Sequence, residues 1–230
     1  MTSQDKQTLL NFLSPTQPFS FMGSVRYSTI VAGLRDCRAY TKREVSSGVY
    51  NPSTPHGDEG NWLAAIGYFT VLDQIGSCYR QITIPEPLGA INSIKFAIEC
   101  FGYDLISNDS RELSALIALR NAFTHDFNLL NIPLPRLVNV QQHKFTVVAD
   151  TTNSWIVTLP TRPWDGNIDG KDFYDTSDST FVNLFGFGNL VEIIFSRIVS
   201  LTNNNQVDLR LPLLRLINKY TFVTSEHPIK

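Results

Sequence analysis

Pro133 and Pro135 interrupt this chain so that no single regular helix can run through them, because proline breaks a regular helix and restricts the residue before it. Before them, apolar residues recur at three- and four-residue intervals: Trp62, Ile66, Phe69 and Leu72 in one run, Ile91, Ile94 and Ile98 in another. Helices are expected over residues 3–13, 22–44, 60–80 and 90–102, with a further helix starting at about Ser110 behind an Asp109–Glu112 capping box. After the prolines the period falls to two. KFTVVAD and SWIVTLP, separated by Thr151-Thr152-Asn153, read as two strands of a hairpin, with Trp155 and Val157 on one side and Ile156 and Thr158 on the other. The helical period returns over residues 180–202 and again, after an Asn-rich turn, in LPLLRLINKY. This order predicts a mostly α protein: a helical bundle over residues 1–135, and a β-hairpin annex with helices packed on the bundle over 136–230.

At 230 residues and 43% hydrophobic content the chain is long enough to bury one large core, or a core with an annex. Cys37, Cys78 and Cys100 are odd in number and far apart, so they make neither a disulfide framework nor a metal-ligand spacing, which fits a reducing cytoplasm. The longest apolar stretch, FVNLFGFGNLVEIIFSRIVSL, contains Glu192, Arg197 and two glycines and reads as a buried amphipathic helix instead of a membrane span. A net charge of −2 argues against gripping long nucleic acid by charge alone, but leaves room for a small cleaving site.

The residues that stand out chemically are in ALRNAFTHDF. Leu116, Ile117, Leu119 and Phe123 form an apolar stripe, and Arg120 falls inside it at helical spacing. A guanidinium stays charged there and requires a carboxylate, a set of carbonyls or an anionic ligand. Asn121 and His125 lie one helical turn apart, so the amide is placed to orient an imidazole whose ordinary pKa is near neutrality. Two readings fit: a core arginine with a helix-terminal histidine, or a reactive pair.

The segment R-N-x-x-x-H, followed by Asp126-Phe127, resembles the R-x4-6-H motif of the HEPN superfamily, all-helical domains that include many metal-independent RNases. The resemblance covers the motif helix and the general helical pattern. It implies an HEPN-like bundle and an endoribonuclease that needs no metal or cofactor, with catalytic residues Arg120, Asn121 and His125. His125 would move protons during attack of the ribose 2′-OH, Arg120 would offset charge on the phosphoryl oxygens, and Asn121 would orient His125. The family also implies an RNA substrate, a homodimer with a composite cleft, and an antitoxin or antiviral-defence partner. A non-catalytic dimerisation or partner-binding module is the competing expectation. A second spacing match, Arg136 to His143, crosses the proline-interrupted segment and is discounted.

Arg35, Arg38 and Lys42 recur at three- and four-residue intervals and are expected on one helix face. A solvated face explains them; with the HEPN resemblance they become RNA-binding candidates. Asp165 to Gly170, DGNIDG, imitates the opening of a calcium-binding loop, but position twelve is Thr176, so tight turns are expected. His56 falls in a Pro/Gly-rich loop and is given no role.

Overall fold

The computed structural model describes residues 2–54, 61–87, 89, 92–106, 110–126, 128–132, 141–169 and 175–223, with the side chains at 61, 110, 125 and 126 left out. The chain divides into two units, a discontinuous one of residues 1–102 and 191–230, and a continuous one of residues 103–190. Nine strands in three small sheets accompany the helices among the described residues. The fold is therefore mixed α/β, which corrects the mostly α architecture expected from periodicity and the HEPN-like bundle implied by the resemblance.

The discontinuous unit begins with α1 (Ser3–Leu13), where Asp5 N–H donates to Thr2 Oγ1 at 3.1 Å and Thr2 N–H donates to Asp5 Oδ2 at 3.0 Å. The helix expected over 22–44 is shorter, α2 (Thr29–Tyr40), because β1 (Phe19–Phe21) and β2 (Ser24–Ser28) form a hairpin ahead of it. Met22 and Gly23 both take positive φ, 48° and 76°, the backbone of a two-residue turn matched to strand twist. On its other edge β2 pairs with β9 (Thr221–Phe222), and Tyr27 stacks on Phe222 at 5.4 Å.

The next two helices fall where the sequence puts them: α3 (Asn61–Cys78) and α4 (Ser93–Phe101). They touch at Gly76, where a Cβ would lie 1.7 Å from the Ser93 carbonyl oxygen, so only glycine permits that approach. Leu72, Ile75, Ala97 and Ile98 are fully buried in this region. β3 (Tyr79–Gln81) follows α3 directly and pairs with β8 (Val207–Leu209), ahead of the short α7 (Leu213–Lys219).

The continuous unit opens with α5 (Ser110–Asn121), which runs into a π-helical turn at Ala122–Asp126. Asp109, the other half of the expected capping box, lies outside the described residues. A four-stranded sheet follows in the order β4 (Leu130–Asn131), β5 (His143–Val148), β7 (Thr180–Asn183), β6 (Val157–Thr158). The expected hairpin does not form. β7, taken from sequence as the start of the helix over 180–202, separates β5 from β6, running parallel to β5 and antiparallel to β6. β6 is only Val157–Thr158, with Val157 buried and Thr158 exposed.

Asn183 explains this arrangement. It is fully buried, its Oδ1 accepts from the Asp150 and Phe185 N–H groups at 3.0 and 3.1 Å, and its Nδ2 donates to the Asp150 and Asn153 carbonyls at 3.0 and 3.1 Å. One side chain thus ties the 150–153 loop to the end of β7 and caps α6 (Leu184–Asn203). With the loop held there, Thr151-Thr152-Asn153 cannot serve as a hairpin turn.

α6 begins in the continuous unit and ends in the discontinuous one. It is long and apolar enough to cross a membrane by length and composition, and half of its most apolar window is buried inside the protein. Its two charges have protein partners: Glu192 pairs with Arg38, and Arg197 Nη1 donates to the Phe101 carbonyl at 3.0 Å.

Asn183→Ala is expected to destabilise the fold by at least about 1 kcal/mol, since buried backbone groups lose their partners and α6 its cap. Urea unfolding measures this as a lowered midpoint. A midpoint equal to that of the wild type would contradict the role given to this side chain.

Candidate functional site

Along α5 and the turn that follows it, the residues that go into the core are Ala115, Leu116, Ala118, Leu119, Ala122 and Phe123. Arg120 stands at the edge of that stripe and is half-buried, so water shares the solvation of its guanidinium and the burial inferred from helical counting is only partial. Its Nη1 donates to Asn121 Oδ1 at 3.1 Å, and among the described residues no carboxylate pairs with it. Among the described residues Arg120 thus has no opposite charge beside it, and it stands half-buried where it can meet an anion.

At Ala122 the backbone changes from α to π winding. Thr124 Oγ1 donates to the Arg120 carbonyl at 2.9 Å, a side-chain bond back to the previous turn of the kind that bends helices. At regular α winding, positions 120 and 125 would be about 140° apart around the axis. The i→i+5 ladder of a π turn brings residues five apart to nearly one turn, so the positions of Arg120 and His125 move onto closer faces. The His125 side chain lies outside the described residues. Asn121 Oδ1 accepts from Arg120.

The second candidate group is taken apart by the fold. Arg35 is exposed on α2, and Lys42 sits beyond the helix end at φ 54°. Arg38 is buried: its Nε and Nη2 donate to the two carboxylate oxygens of Glu192 at 2.9 and 2.8 Å, and Nη1 donates to the Val45 and Ser46 carbonyls at 2.8 and 3.3 Å. The three do not form one basic face. Glu192, 154 positions away, is what draws Arg38 inward. All three belong to the discontinuous unit, and the motif residues to the continuous one.

The remaining polar residues have local roles. Asn167 N–H donates to Asp165 Oδ1 at 2.9 Å and Asp169 N–H to Asn167 Oδ1 at 3.0 Å, so these oxygens cap their own turns. No cluster of three metal-ligating side chains occurs among the described residues. His56 and Arg136 lie outside the described residues. His143 is buried in β5, with Nδ1 2.9 Å from Thr180 Oγ1 and its ring stacked 5.2 Å from that of Phe145. Beside it, Lys144 Nζ pairs with Asp178 Oδ1 at 2.5 Å and donates to the Asp175 carbonyl at 2.6 Å.

The chain matches no protein-family model, no curated protein and no solved structure.

Burial pushes the His143 imidazole down to about 4 from its ordinary 6.5. The neutral ring is the folded form, so its contribution to stability is complete above pH 6.5 and is lost as pH falls towards 4, where the unfolded chain binds a proton that the folded chain refuses. Asp150, held at about 2 by bonds from Thr152 and Asn153, loses its contribution only in a more acidic range. Melting temperature measured between pH 7 and 4 is expected to fall more steeply in wild type than in His143→Asn. Parallel curves would contradict the assignment.

Proposed function

We propose that this chain is a metal-independent endoribonuclease whose reacting groups are Arg120, Asn121 and His125. The proposal takes the motif turn from the family resemblance and not the bundle. What supports it is Arg120: a half-buried cation at the end of α5, bonded among the described residues only to a neutral amide, with a π turn beginning two residues later and carrying His125. Single π-helical turns are frequent at functional sites.

The chemistry needs no metal, because the chain supplies both a cation and a proton carrier. The ribose 2′-oxygen forms a bond to phosphorus while the P–O5′ bond breaks, leaving a 2′,3′-cyclic phosphate and a 5′-OH. His125 accepts the 2′-OH proton, and the imidazolium of a second copy protonates the departing 5′-oxygen in a homodimeric cleft. Arg120 faces the phosphoryl oxygens where charge builds, and Asn121 Oδ1 holds the guanidinium in place. Single-stranded RNA is the expected substrate, since A-form geometry resists in-line attack. The proposal places the protein in the cytoplasm, consistent with three free, buried thiols.

His125→Ala is expected to lower RNA cleavage by roughly 10²–10⁴-fold at unchanged melting temperature, with wild type equally active in EDTA. Cleavage by the variant at the wild-type rate would eliminate His125 as a reacting group and leave the interaction-module reading. Activity abolished by EDTA and restored by a divalent ion would eliminate the mechanism.

A further inference from the structure

α2 and α6 flank a cavity of about 560 Å³ in the discontinuous unit, within the range of small-molecule sites. Val31 and Leu34 of α2 and Ile193 and Val199 of α6 give it apolar walls, and Ser196 and Ser200 add hydroxyls along α6. Arg38 and Glu192 also line it. They bring one positive and one negative charge, so the lining carries no net charge.

The ion pair is incompletely used. Arg38 commits four of its five N–H donors, Nε–H and one Nη2–H to Glu192 and two on Nη1 to Val45 and Ser46. One Nη2–H remains, and each Glu192 oxygen keeps a lone pair among the described residues. Hydroxyls are the groups that meet both, one accepting from Arg38 Nη2 and another donating to Glu192. A phosphate or carboxylate is a poor fit: it would sit against Glu192 while the arginine's charge is already spent on that same carboxylate.

We infer that this cavity is a binding site for an uncharged ring compound of nucleoside or monosaccharide size bearing several hydroxyls, which meet Arg38 Nη2 and Glu192 separately while its ring face lies on Val31, Leu34 and Ile193. The site does not use the Arg120–His125 turn and stands independently of the ribonuclease reading.

Ligand-observed saturation-transfer NMR on the full chain tests it, with uridine, adenosine and N-acetylglucosamine as neutral probes and their monophosphates as charged counterparts. Nucleosides and sugar are the two sources of the shared chemistry, and the probe that binds distinguishes them. Ser196 is exposed, so Ser196→Trp fills the cavity without touching the ion pair, and Ser200→Trp does the same from the next turn should the first variant melt early. At least one neutral probe is expected to bind at millimolar concentration or tighter, with affinity weakened by roughly tenfold or more in a Trp variant that melts like wild type. On the transfer that the Trp variant removes, the matching monophosphate is expected to be at least roughly tenfold weaker. No binding by any neutral probe, equal binding of the monophosphate, or binding that survives both Trp variants would overturn the inference.

Discussion

The two-point ion pair between Arg38 and Glu192 is the buried polar contact on which the packing of α2 against α6 depends. It joins α2 to α6 across most of the sequence, and both side chains are largely removed from water, 7% and 12% exposed. A charge in that setting is tolerated only with its partner, and truncating one member of such a pair typically costs about 3–5 kcal/mol. The pair fixes the register of α2, since Arg38 turned outward would strand Glu192. It also settles which face of the apolar α6 turns inward, and leaves the α2–α6 cavity with balanced charge.

Arg120 is the counterpart of that arginine and shows what a different environment does to the same group. Arg38 has a carboxylate and two carbonyls; among the described residues Arg120 has one neutral amide. A guanidinium without a carboxylate retains its attraction for phosphate, and its two-pronged donor geometry suits that anion. The π turn that follows changes the helical register at the residues that matter, and this combination, not the surrounding architecture, carries the ribonuclease proposal.

Much of the local structure was legible in the sequence because it depends on local chemistry. Ser14-Pro15 ends α1, the spacing of Trp62, Ile66, Phe69 and Leu72 marks α3, and the Asp165–Asp169 oxygens cap their own turns. The failures share a cause: a partner distant in sequence. The tie that keeps β5 and β6 apart depends on Asn183, some thirty residues beyond the loop it holds, and Arg38 left the basic stripe because of a glutamate 154 positions on. The hairpin before α2 had a local signal, Met22-Gly23, that apolar periodicity overrode. The α2–α6 cavity was out of reach for the same reason as its ion pair, although Glu192 was visible as a charge interrupting an apolar run. At the motif, helical counting assumed 100° per residue through a segment that winds as a π turn, and the bond from Arg120 to Asn121 had no signal in the periodicity.

The central claim is chemical: Arg120 and His125 promote attack by an internal 2′-hydroxyl and not by water. The ends of the RNA products report this directly. Mass spectrometry of a short single-stranded RNA cut by the wild-type protein is predicted to show a 2′,3′-cyclic phosphate on one fragment and a 5′-hydroxyl on the other, with no cleavage when the 2′-hydroxyl at the cut site is replaced by hydrogen. Fragments carrying a 5′-phosphate and a 3′-hydroxyl, or cleavage of the deoxy-substituted strand at the same site, would contradict it.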